Sequence, residues 1–110
     1  MGDRARSPLD EAMNRLWAKY LPQMQGRVGT LEKAAERLAN GNLNATEQEV
    51  AGADAHKLAG VLGTFGLKEG TELAREAESL YSGSLDGDPA VASRLRAIAE
   101  QLRSMIANRN

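Results

Sequence analysis

At 110 residues the chain is long enough for one domain with a single modest core. Its 14 Lys and Arg against 15 Asp and Glu leave a formal net charge of −1, which argues against nucleic-acid binding through bulk positive charge. The absence of cysteine excludes disulfides, thiolate metal sites and cysteine nucleophiles, and a single histidine excludes zinc sites built from several.

Ala, Leu, Glu and Arg are abundant while aromatic and β-branched residues are scarce, a mixture that favours helices. Residues 1–6, "MGDRAR", carry no periodic pattern and are expected to be loose. Ser7-Pro8 reads as an N-cap followed by proline at the first helical position. Leu9, Met13, Leu16 and Tyr20 then recur at helical spacing with Trp17 beside them. Pro22 removes a backbone donor and crowds the preceding turn, so it is expected to end or kink this first helix. Met24, Val28, Leu31, Ala35 and Leu38 form a second stripe, closed by the turn "NGNLN".

Thr46-Glu47-Gln48-Glu49 has the form of a capping box and opens a helix that Gly66 stops. The next helix is predicted over Lys68 to Ser82, with Leu67, Gly70, Leu73, Ala74, Ala77, Leu80 and Tyr81 along one side. In the loop "SGSLDGDP", Asp88 caps and Pro89 starts a final helix lined by Val91, Leu95, Ile98, Leu102 and Met105. "DGDP" has fragments of a calcium loop without its downstream ligands, so a turn and N-cap explain it. Arg94, Arg96 and Arg103 read as a solvated face of the last helix. These stripes and short connections predict an all-α, antiparallel up-and-down four-helix bundle from about residue 22 onward. An additional short N-terminal helix before Pro22 should pack across one end. The whole chain, residues 1–110, forms the single domain. No apolar run approaches the roughly 20 residues of a membrane span and no signal peptide opens the chain, so a soluble cytoplasmic protein without membrane partners is expected.

The stretch "AHKLAGVLGTFG", residues 55–66, combines the one histidine with three glycines, although glycine costs a helix interior roughly 1 kcal/mol relative to alanine. With His56 at zero on a helical wheel, Ala51, Leu58, Leu62 and Phe65 fall between about 180° and 240°, with Val61 at their edge. That arc is the core face, and His56 points away from it. Gly52, Gly60 and Gly63 surround the imidazole, with Ala53 and Ala59 at the shoulders and Lys57 to one side. Two readings compete for this bare strip. Small residues can let a neighbouring helix approach closely, or they can leave room for a partner surface at the ring. A lone exposed imidazole, without a second histidine or a thiol, can accept and release a phosphoryl group or shuttle a proton.

"AHKLAGVLGTFGL" resembles the signature of histidine phosphotransfer (HPt) domains, in which a phosphorylatable His is followed by an apolar residue at +2, Gly at +4 and a Gly turn at +10. The "GTFG" ending is also similar to the phosphoacceptor domain of chemotaxis kinases. The resemblance implies that His56 is the phosphoacceptor, modified on Nε2, and that Gly60 leaves room for an incoming receiver domain. It places Glu78, twenty-two residues on, as the carboxylate that accepts from Nδ1 and orients the ring; a solvated helix-edge carboxylate is the alternative. Many family members carry Lys at +3, where this chain has Ala59. Lys57, Gly63, Lys68 and Arg75 are the remaining candidates for contact with the phosphoryl group or the partner. The implied partners are response-regulator receiver domains, a histidine kinase, or both. The module would be a phosphocarrier and not an enzyme, without metal or cofactor of its own, Mg²⁺ being supplied by the partner. Two alternatives remain: the phosphoacceptor domain of a larger chemotaxis-like kinase, and a helical docking module that is never phosphorylated.

Overall fold

The computed structural model describes residues 7–109, and the expectation of a loose segment at 1–6 falls outside them. Four helices follow in order: α1 (Pro8–Ala39), α2 (Ala45–Thr64), α3 (Lys68–Ser82) and α4 (Pro89–Asn108). There is no strand among the described residues. The all-α bundle expected from the periodicity is the architecture found.

The helix ends are set by local chemistry. Ser7 caps α1 by accepting from the Asp10 amide, with Pro8 in the first turn. Asp88 caps α4 in the same way, accepting from the Ala90 amide ahead of Pro89. At the start of α2 the capping box lies two residues earlier than Thr46. Asn44 accepts from the Glu47 amide at 2.7 Å, and Glu47 accepts from the Asn44 amide at 3.0 Å. Glu47 is also paired with Arg37 of α1 at 2.6 Å, which anchors this earlier box across the turn. Gly41 and Gly66 take left-handed φ of 73° at the two tight turns that follow α1 and α2, where a side chain would be strained.

Pro22 does not end the first helix, and among the described residues there is no separate short helix before it. It lies inside a continuous 32-residue α1. The carbonyl its missing N–H leaves free belongs to Ala18; both residues are exposed, so water can satisfy it. Trp17 and Met24, on either side of the proline, are both buried in the core, so both halves of the helix pack against it. A 32-residue helix spans about 48 Å against about 30 Å for α2 or α4, so α1 overhangs the bundle, whose longest dimension is 55 Å. The stripe expected in the core at that end is therefore largely uncovered. Leu9 is 69% exposed, Met13 and Leu16 are half-buried, and Trp17 takes the core position.

The four helices form a ring in which α1 borders α2 and α4, and α3 borders α2 and α4. Met24, Val28 and Leu31 of α1, Leu58 and Leu62 of α2, and Ile98 and Leu102 of α4 fill its centre. Three of the four interfaces also carry ion pairs. Arg27–Asp54 and Arg37–Glu47 join α1 to α2, Arg103–Glu32 joins α4 to α1, and Arg94–Glu76 joins α4 to α3. Arg94 and Arg103 each bind their carboxylate with two nitrogens, so they are cross-helix ties and not merely a solvated face. The fourth interface, α2 against α3, carries His56 and Glu78.

Candidate functional site

His56 sits in the middle of α2, on the side away from Ala51, Ala55, Leu58 and Leu62, all fully buried. Its side chain is 72% exposed. Glu78 reaches it from α3, which runs antiparallel alongside, with Oε2 2.8 Å from Nδ1 and the carboxylate side chain 35% exposed. A carboxylate can only accept, so Nδ1 is the donor of this bond, and in the neutral ring that leaves the lone pair on Nε2. The bond thereby orients the ring and selects the Nδ1–H tautomer of its neutral form.

The two readings of the bare strip divide among its glycines. A Cβ placed on Gly60 would meet nothing within 4 Å. On Gly52 it would lie 3.6 Å from the Tyr81 Cβ, and on Gly63 3.5 Å from the Thr71 hydroxyl. Gly52 and Gly63 therefore border α3, whereas Gly60, one turn after His56, opens on solvent. Ala59 is buried and lies against α3, its carbonyl accepting from Thr71 Oγ1 at 3.3 Å.

The cationic candidates are not equivalent. Lys57 is exposed beside His56 on the same turn, and exposed Arg75 lies three residues before Glu78 on α3. Lys68 is the first residue of α3, ten residues before Glu78 and so about 15 Å along the axis, which keeps it away from the imidazole. Among the described residues no three His, Cys, Asp or Glu side chains converge to hold a metal ion. The surface here is open helix and not a cleft. A shallow hollow lined by Glu49, Gly52, Ala53 and Tyr81 lies between α2 and α3 on the side toward the α2 N-terminus. Such a surface suits a macromolecular partner better than an enclosed small substrate.

Two polar residues of this region carry no signal of a site role in the sequence, although Gln48 lies within the capping-box pattern. Gln48 Nε2 donates to the carbonyls of Tyr81 at 2.8 Å and Gly83 at 3.1 Å, and Thr71 is buried with its hydroxyl on Ala59. Nothing in local periodicity distinguishes them from ordinary helical polar residues, because their partners lie on another helix. Phe65, in the "GTFG" segment, has a packing role. Its ring stands edge to face with Trp17 at 5.0 Å, and the Arg109 guanidinium lies over both rings.

Comparison with known proteins bears on the same residues. A family model described as Hpt domain matches residues 15–105. Protein RcaC of Microchaete diplosiphon is 31% identical over 94 residues, which cover 86% of this chain and 14% of that protein. The chain thus spans about one-seventh of the length of that relative. No solved structure matches the chain significantly.

Proposed function

The chain belongs to the Hpt domain family, a family of phosphotransfer modules in two-component signalling, and we propose that Nε2 of His56 takes up a phosphoryl group and passes it to or from receiver-domain aspartates. The observation that carries this reading is the bond from Nδ1 to Glu78 on a ring that is otherwise exposed beside the open strip at Gly60.

In uptake from an aspartyl phosphate, the Nε2 lone pair forms the N–P bond while the acyl P–O bond breaks, its electron pair returning to the aspartate carboxylate. Positive charge develops on the ring as the bond forms. The Glu78 carboxylate, already in place on Nδ1–H, stabilises that charge without reorganisation. Transfer outward reverses these steps, and the ring departs as neutral imidazole because Nδ1 keeps its proton. Gly60 leaves room for the partner backbone, whereas Gly63 lets α3 pack closely at Thr71. Lys57 and Arg75 flank the position of the phosphoryl group and offset its charge in the absence of a lysine at Ala59. Lys68 serves at most at the rim of a docked partner. Mg²⁺ and the acid–base groups come from the receiver or kinase, so the module is a carrier without autonomous catalysis.

A second reading is that the module is the phosphoacceptor part of a larger chemotaxis-like kinase. The Nδ1–carboxylate bond favours it, since the resemblance to chemotaxis-type members implies a glutamate in this role. One screen addresses both. Receiver domains of the source organism, charged with a small-molecule phosphodonor, and kinase ATP-binding domains supplied with ATP are each mixed with the protein. We expect an acid-labile, base-stable phosphoryl group on His56, lost entirely in His56→Gln with the thermal midpoint nearly unchanged. Label retained in that variant would overturn the assignment.

A further inference from the structure

Small residues line part of the interface that brings Glu78 to His56, where Leu62 of α2 lies against Gly70 and Tyr81 of α3 against Gly52. Ala51, Ala55 and Ala59 of α2 are buried and Gly52 and Gly63 border α3, which contributes buried Gly70, Ala74 and Ala77. Small side chains let the helices approach closely but raise only low ridges, so packing alone offers weak resistance to sliding or rolling of α3 on α2. The Nδ1–carboxylate bond weakens steeply when distance or angle departs from a narrow range. Directional bonds across the interface can hold that register more narrowly than small-residue contacts do.

Two side chains span the interface on either side of the pair. Gln48, two turns before His56 on α2, donates to the Tyr81 and Gly83 carbonyls at the end of α3, where intrahelical donors have run out. Thr71, two turns before Glu78 on α3, donates its buried hydroxyl to the Ala59 carbonyl in the C-terminal part of α2. One link lies toward each end of the shared surface, and His56–Glu78 lies between them. Two links separated along the axis restrain both translation and rotation, which one alone would not.

We propose that Gln48 and Thr71 are positioning residues for phosphotransfer, cross-helix clamps that set the register of α3 against α2 so that Glu78 meets Nδ1 of His56. The proposal rests on the reading of His56 as phosphoacceptor, and it acts through Glu78 and not on the phosphoryl group itself.

The test uses Thr71→Val and Gln48→Leu, which keep bulk and remove the donor, singly and combined, with Thr71→Ser as the conservative variant. Two quantities are read: the His56 ring tautomer by ¹⁵N NMR with the ring neutral, and the rate of phosphorylation by phosphoramidate. In the wild type the ring should hold its proton on Nδ1. The combined variant should show a growing Nε2–H population and phosphorylate about tenfold more slowly, since sub-ångström misplacement of a reacting group carries penalties of that order. Each single variant should show part of the effect, and Thr71→Ser should match the wild type. Ile98→Val, which weakens the core on α4, should lower the thermal midpoint with tautomer and rate unchanged; a change in either would reduce the clamps to general stability and overturn the proposal. So would folded clamp variants with wild-type tautomer and rate. If the tautomer shifts as expected but even the wild type takes up no phosphoryl group, the clamps stand and the phosphotransfer reading falls.

Discussion

The Glu78 carboxylate meets Nδ1 of His56 at 2.8 Å across two helices. Because the pair joins helices, the substitution Glu78→Gln separates orientation from charge: the amide oxygen can still accept from Nδ1, but the negative charge is gone. Phosphorylation by phosphoramidate should slow about tenfold, less than loss of such a contact costs in an enclosed site because this pair is exposed to water, and Glu78→Ala should slow it further. Identical rates in all three proteins would make Glu78 an ordinary surface carboxylate.

Gly60 and Gly63 lie three residues apart on α2 yet predict different outcomes. Gly60→Ala fills open space in a helix interior and should stabilise by roughly 0.5–1 kcal/mol, with phosphoramidate labelling intact. Gly60→Glu should keep the fold and the labelling while strongly reducing transfer from a receiver domain, through bulk and charge beside the phosphoryl group. Unimpaired transfer would show that partners do not approach over Gly60. Paired thermal melts and transfer assays make the check.

Tyr81 is buried, and its hydroxyl has no hydrogen-bond partner among the described residues. Burial pushes the phenol up from 10.0 to about 12. The folded-state value is raised, so the associated stability is fully present below pH 10 and lost as pH rises through 12. A shift of this size corresponds to about 2–3 kcal/mol. Tyr81→Phe should be neutral or mildly stabilising at pH 7, because an unpartnered hydroxyl is removed, and should flatten the alkaline fall. Denaturant melts from pH 7 upward would reveal a wild-type fall unchanged in the variant if the phenol is not responsible.

At the acid end the sign is opposite. The Arg103 and Arg94 guanidiniums hold Glu32 and Glu76 below the usual carboxylate value of 4.5, and the Asn44 amide, with Arg37, does the same for Glu47. Lowered folded-state values mean that this stability is fully present above pH 4.5 and is lost as pH falls through them. The pairs lie at the surface, so high salt should shrink the effect. The combined variant Glu32→Gln and Glu76→Gln should lose less stability than the wild type between pH 6 and the acid transition; equal losses would assign that transition to other groups.

Trp17 is the one tryptophan of the chain and is almost fully buried beneath Arg109, which lies 4.8 Å from its ring. Arg109→Ala should uncover the ring and shift its fluorescence to the red, with a loss of about 0.5–1 kcal/mol for an edge cation–π contact. Unchanged emission would show that Arg109 does not cover the ring.

What the sequence determined by itself lies within a turn or two of each residue. Ser7-Pro8, Asp88-Pro89, the span Lys68–Ser82 and the outward direction of His56 follow from caps and a 3.6-residue period, which depend only on neighbours along one helix. Tertiary structure decided the rest, because the deciding partner came from elsewhere. Pro22 is tolerated because the Ala18 carbonyl it frees reaches water while Trp17 and Met24 pack on either side. Asn44 outcompetes Thr46 as cap where its box partner Glu47 also meets Arg37 from α1. Gly52 and Gly63 border a helix and Gly60 faces solvent, a distinction set by the approach of α3. Leu9 remains exposed because α1 outruns its neighbours, and Gln48 and Thr71 gain their roles from carbonyls on the opposite helix. A helical period fixes which way a side chain points, but the free energy of that direction depends on whether water, a guanidinium or another backbone is there to meet it.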